Sequence, residues 1–186
     1  MPYHHGDLRR VLLDTALDAI AEHGPVAVSL RDIARRAGVS HAAPTHHFHD
    51  KTGLLTALAV EGWSLLADAL TTTAERDPDF AELGVAYVVF ATSHPAHFAV
   101  MRAPGLVRAD DPELVAAKGH AAAQLNAGVQ RHTDPAAASD PTTALAAWSL
   151  VHGLSALLLE GAVQPEPGSD VATLARSITR RLGPAR

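Results

Sequence analysis

Apolar residues recur at helical spacing along nearly the whole chain, punctuated by Gly, Pro and acidic residues. In DLRRVLLDTALDAIAEHGP, Leu8, Leu12, Ala16 and Ile20 fall on one stripe that stops at Gly24-Pro25, which predicts a first amphipathic helix. A second stripe runs through Leu54, Leu58, Leu65 and Ala69 and ends near Asp77-Pro78. A third carries Phe80, Leu83, Tyr87 and Phe90 up to Pro95; AHFAVM then reads as a short turn before a loop at Pro104-Gly105. Three further helical segments follow: PELVAAKGHAAAQLNAGVQRH, the apolar run ASDPTTALAAWSLVHGLSALLLEGAV, and DVATLARSITRRLG. There is no internal repeat, and low complexity is confined to PAAASD and PEPG. The expected fold class is therefore all-α.

Composition narrows the functional classes. Hydrophobic residues make up 47% of the 186 positions and aromatics only 4%, a balance that suits packed Ala- and Leu-rich helices in one or two small domains. The chain has no cysteine, which excludes disulfides, thiolate zinc sites and thiol catalysis and fits a reducing cytoplasm. The stretch MPYHHGDLRR lacks the apolar core of a signal peptide, so export is not expected. A formal net charge of −5 argues against coating nucleic acid by bulk charge. Any such contact must be local.

One segment concentrates that local potential. In SLRDIARRAGVSHAAPTHHFHDK, residues 29–51, Ser29 is placed to cap a short helix, with Asp32 three residues on as a shortened capping box and Ile33 and Ala34 facing inward. Ala37-Gly38-Val39 forms a turn in which Gly38 can take positive φ, and Ser40 is placed to cap a second helix. Helix, three-residue Gly turn and helix make the helix-turn-helix plan, flanked by Arg31, Arg35, Arg36 and Lys51. The cluster His46, His47 and His49 suggests zinc, but adjacent helical residues diverge by about 100° and converge poorly on one ion. No HExxH pattern accompanies it.

The stretch RDIARRAGVSHAAPTHHFHDKTGLL resembles the DNA-binding domain of the TetR/AcrR family of bacterial transcriptional regulators, over roughly the first third of the chain. A shorter likeness, in HPAHFAVM and in Trp148, His152 and Gly153, is to the subgroup whose C-terminal domain is named for a Trp-His-Gly signature. The resemblance implies a three-helix DNA-binding domain over residues 1–52 and a helical effector-binding and dimerisation domain over 53–186. It implies DNA contacts from Ser29, Arg31, Ser40, His41, Ala42, Thr45, His46, His47 and Lys51, with Phe48 as core. The chain departs from the family in having Thr45 where a phosphate-contacting Tyr is usual. It also places Pro44 near the fourth position of the recognition helix, where a distorted first turn is expected.

Beyond the motif, Tyr87, His94, His97, Phe98, Met101, Trp148 and His152 either line a ligand pocket or are core residues with satisfied polar tips; the family's placement of effector pockets among the middle helices supports the first reading. No GxSxG elbow occurs, so no catalytic residue is assigned and no enzyme, cofactor or metal is expected. The run from Thr143 to Val163 approaches the length of a membrane span, but His152, Gly153, Glu160 and Gly161 argue against lipid. A helix apolar on all faces also arises when one face packs on its own domain and another on a second subunit. The resemblance implies such a homodimer interface, here through Leu150, Gly153, Leu154, Leu157, Leu158, Leu174 and Ile178. The expected function is a cytoplasmic, ligand-responsive regulator, a repressor, binding double-stranded operator DNA as a homodimer and responding to a small-molecule effector. A zinc hydrolase using the histidines and a helical adaptor without DNA function are the alternatives.

Overall fold

A computed structural model of the chain describes residues 5–77, 79–132 and 140–182, and these form helices and turns with no strand among them. In chain order the helices are α1 (His5–Ala27), α2 (Leu30–Arg36), α3 (Ala42–Phe48), α4 (Lys51–Arg76), α5 (Phe80–Ser93), α6 (Pro95–Met101), α7 (Pro112–His132), α8 (Pro141–Leu159) and α9 (Val171–Thr179). Short 3₁₀ turns occupy Pro104–Leu106 and Arg180–Leu182. The expected stop of the first helix is present as a kink: Gly24 leaves helical geometry at φ 76° and ψ 164°, immediately before Pro25. The chain divides into two compact units. The first comprises residues 1–63 and 95–116, the second residues 64–94 and 117–186, so α4 contributes its first half to one and its second half to the other. Most of the low-complexity stretch, residues 135–139, lies outside the described residues.

The first unit is built on the predicted stripe of α1. Leu12, Ala16 and Ile20 are buried with Ile33 of α2, Phe48 of α3, and Leu54, Leu55 and Leu58 of α4 in a single core. The segment AHFAVM, read from sequence as a turn, is the helix α6, with Pro95 at its first position, where a missing N–H costs nothing. His97, Phe98 and Val100 face inward, and α6 packs against α1. Seven residues are too few for a stable isolated helix, so burial against α1 holds it. A polar bridge accompanies that packing: Glu61 of α4 accepts from Arg10 Nη1 at 2.7 Å and meets His97 Nε2 at 3.1 Å.

In the second unit α5 is the central helix. Leu83, Val85, Tyr87, Val88, Phe90 and Ala91 are all buried, which explains why its sequence is apolar on nearly every face. It packs against both α8 and α9. By length and composition alone α4 and residues 142–159 are apolar enough to cross a membrane. Unlike α5, α8 leaves much of that apolar surface open, with Leu145 56% and Trp148 39% exposed.

Candidate nucleic-acid interface

The α2–turn–α3 element follows from local hydrogen bonding. Ser29 is extended, at φ −134° and ψ 146°, and its Oγ accepts the Asp32 N–H at 3.2 Å, the predicted N-cap. Only half of the capping box forms, because the Asp32 carboxylate turns to Arg35 at 2.6 Å and Arg36 at 2.7 Å. Those hydrogen bonds, Arg35 first, hold Asp32 below the ordinary carboxylate range. Gly38 occupies φ 68°, and the Val39 N–H returns to the Ala34 carbonyl at 3.0 Å, closing α2 and redirecting the chain.

Two expectations for α3 are corrected. Ser40 does not cap it by its side chain. His41 is the N-cap residue and makes no side-chain cap bond, while the Ser40 carbonyl accepts the Ala43 N–H at 3.0 Å. Pro44 does not distort the first turn: it is the third residue of the helix, where the backbone N–H has no intrahelical acceptor to lose. Instead Pro44 and Phe48, one turn apart, are the two buried residues that seat α3 on the unit. Ala42, Thr45 and His46 then point to solvent, with His41 and His49 exposed at the two ends. His47 is half-buried; its ring lies 5.4 Å from His46 in an edge-on arrangement and 6.1 Å from Phe48.

The turn into α4 is tightly packed. Asp50 Oδ1 accepts the Gly53 N–H at 2.7 Å and Asp50 Oδ2 accepts from Arg108 at 2.8 Å; the Gly53 bond first, then Arg108, lowers the Asp50 pKa. A Cβ at Gly53 would sit 2.0 Å from the Phe48 carbonyl oxygen, so only glycine permits this approach. Lys51 donates through Nζ to the Val26 carbonyl at 2.5 Å, which leaves two of its three ammonium donors uncommitted.

Charges in this region are mostly spent internally. Residues 1–56 hold six Lys and Arg (Arg9, Arg10, Arg31, Arg35, Arg36, Lys51) against six Asp and Glu (Asp7, Asp14, Asp18, Glu22, Asp32, Asp50). Arg10 pairs with Asp14 and Glu61, Arg35 with Asp32, and Arg36 with Asp32 and Glu22. Arg31 and Lys51 carry no carboxylate partner among the described residues, nor does Arg9, whose guanidinium lies 5.5 Å from the Phe48 ring centre. The α1 stripe alone does not place Arg9 beside α3. No group of three His, Asp or Glu among the described residues is placed to hold a metal ion.

The seven expected pocket residues divide between the units. His97, Phe98 and Met101 belong to the first, where His97 and Phe98 are buried in the core and the Met101 sulfur packs over Gly62. Tyr87, His94, Trp148 and His152 belong to the second. There Tyr87 Oη meets His152 Nδ1 at 2.9 Å, and the Trp148 and His152 rings lie 5.1 Å apart. Only His94 of the seven lines the large cavity of this unit, about 490 Å³, which opens between the second half of α4, α5 and α9. Its other walls include Leu65, Arg76, Val89 and Arg176, whose sequence context gave no sign of a shared surface.

The expected dimer residues differ in their exposure within the chain. Leu154 is buried within its own chain, and Leu150, Gly153 and Leu158 are half-exposed; Leu157 is exposed, and Leu174 and Ile178 of α9 are half-exposed. The large apolar side chains left most open on α8 are Leu145, Trp148, Leu157 and Leu159, of which Leu145, Trp148 and Leu159 share one line of the helix.

Comparison with known proteins agrees with this architecture. The family described as "Bacterial regulatory proteins, tetR family" matches residues 12–58, and "Tetracyclin repressor-like, C-terminal domain" matches residues 80–182. The HTH-type transcriptional regulator BetI of Klebsiella pneumoniae (strain 342) is 45% identical over 71 residues, 38% of this chain and 36% of that protein. The chain thus aligns with about a third of the length of these curated relatives. A protein of unknown function from Rhodococcus sp. RHA1 is 34% identical, with a TM-score of 0.77 over 98% of this chain and 96% of the other. The TetR family transcriptional regulator PfmR from Thermus thermophilus shares the fold at 20% identity, with a TM-score of 0.72 over 94% of this chain and 99% of the other. Membership of the Trp-His-Gly subgroup does not follow from these matches. With one family description covering the helix-turn-helix and another covering more than half of the chain from α5 to its last turn, the chain belongs to the tetR family of bacterial regulatory proteins.

Proposed function

We propose that the protein is a DNA-binding transcriptional regulator, a repressor acting in the cytoplasm, whose homodimer places two α3 helices in successive major grooves of a pseudo-palindromic operator. The observation that carries this reading is the seating of α3: Pro44 and Phe48 hold its inner face while His41, Ala42, Thr45 and His46 stand outward on a rigid helix-turn-helix. Ser29, Arg31, Ser40, His47 and Lys51 border that face and serve phosphate oxygens, and Arg9 joins them. Residues 1–52 act as the reading head, and 53–186 as the effector-binding and dimerisation part. The exposed apolar line of α8 supports pairing of two copies through α8 and α9, which accounts for its hydropathy without a bilayer. The zinc-hydrolase and adaptor readings gain no support from the relatives, which are named as regulators.

A small-molecule effector that binds one conformation of the dimer better than another shifts the population away from the head spacing the operator requires. Fluorescence anisotropy or gel shift against the region upstream of the protein's own gene tests the reading. Saturable binding with a steep salt dependence is expected, and equal affinity for that region and for unrelated DNA of the same length refutes it.

A further inference from the structure

We propose that the cavity between α4, α5 and α9 takes an amphipathic organic anion, with its acidic head at Arg76 and its apolar tail along the floor formed by Leu65, Val85, Val89 and Phe90. This rests on the reading of the protein as a ligand-responsive regulator and supplies the chemistry of that ligand. A volume of about 490 Å³ lies within the range of small-molecule sites, which are mainly apolar with a few placed polar groups. The floor fits that description: Phe90 and Val85 are buried in the wall, while Val89 stands 37% exposed. From Leu65 to Arg76 the α4 wall rises about 16 Å, enough for an extended chain to lie along it.

The charges decide the sign of the head group. Glu82 is the sole carboxylate in the lining, and Arg176 holds it by two hydrogen bonds, Nε to Oε1 at 2.5 Å and Nη2 to Oε2 at 2.7 Å. A carboxylate so engaged is not free to pair with an organic cation, and the one aromatic ring large enough to face such a cation, that of Phe90, is already stacked on His94 with ring centres 5.0 Å apart. Arg76 has no carboxylate partner among the described residues. Asp77 and Asp170 lie outside the lining, where their charges act on Arg176 and their oxygens accept backbone N–H groups, Asp77 from Asp79 and Asp170 from Thr173 as the N-cap of α9. The lining therefore presents two guanidinium groups against one carboxylate, and the unpaired one, Arg76, is exposed.

Isothermal titration calorimetry of the full chain with decanoate, decanol, decyltrimethylammonium and octanoate tests this. Decanoate is expected to bind at least tenfold more tightly than decanol, with the ammonium weakest. Octanoate should be roughly tenfold weaker than decanoate, because two methylenes leave the apolar floor. Arg76→Gln should narrow the gap between decanoate and decanol at least fivefold while leaving decanol unchanged. Val89→Glu, at an exposed position that tolerates the change, should abolish binding of both without altering the thermal midpoint. Tightest binding of the ammonium, no binding of decanoate to folded protein at low millimolar concentration, or an unchanged gap in Arg76→Gln overturns the assignment. Anisotropy on operator DNA separates the two readings. Operator binding that survives while decanoate fails to bind, or fails to change operator affinity, removes only the ligand inference. Absence of operator binding without any ligand removes the proposed function, whatever the calorimetry shows.

Discussion

Leu145→Glu should dissociate the proposed dimer and weaken operator binding together, and the structure sets the scale. Leu145 is 56% exposed, Trp148 39% and Leu159 38%, so within one subunit these side chains are only partly covered. At 1.5–3 kcal/mol for a fully buried leucine, covering what remains of Leu145 is worth roughly 1–1.5 kcal/mol per subunit, or about 3 kcal/mol across a two-fold axis. The uncovered part of Trp148, on the order of 100 Å², adds about 2.5 kcal/mol per subunit. Gains of this size, about 10 kcal/mol for the whole line, are comparable with the 4–15 kcal/mol that association costs in lost freedom. A dimer paired in the proposed way therefore tolerates little loss. Replacing both leucines removes about 3 kcal/mol of apolar burial and leaves two carboxylates at the same contact, each several kcal/mol to desolvate, so the dimer constant should weaken by at least three orders of magnitude. Because Leu145 is largely exposed within its own chain, the monomer should stay folded. Sedimentation velocity measures the assembly, and anisotropy compares full operator with half-site; loss of the linked second head should cost roughly 10²–10⁴ in operator affinity. A dimer persisting at micromolar concentration, or a monomer that binds full operator as tightly as the parent, would refute the reasoning.

Lys51→Ala should weaken binding to all sequences alike and lower the salt slope by about 0.9 for each phosphate that a head no longer neutralises, whereas His41→Ala should change which bases are preferred in a selection from random DNA. Arg176 holds Glu82 below the ordinary carboxylate range, chiefly by its hydrogen bonds. That contribution is present above the unfolded value, near 4.3, and lost as pH falls through the lower folded value. Arg176→Gln should therefore lower stability at pH 7 and flatten the decline below about pH 4 in urea melts, and an acid limb identical to the parent's would count against it.

Periodicity and local capping alone determined most of the elements. The α1 stripe, the Ser29 cap and the positive-φ turn at Gly38 depend on residues three or four apart, and such short-range chemistry is readable from sequence. Tertiary structure decided what those rules do not reach. Segment 95–101 is a helix because α1 covers it, and α3 starts at Ala42 because its inner face is set by Pro44 and Phe48 rather than by a Ser40 side chain. The histidines and aromatics of the second half share residue types but not a location: His97 turned to Glu61, His152 to Tyr87, and His94 to the cavity. On α8, apolar residues occupy most faces, so periodicity could not tell that Leu154 points inward while Leu145 and Trp148 stay open. Burial is a property of neighbours far apart in the chain, and only the packed fold specifies those neighbours.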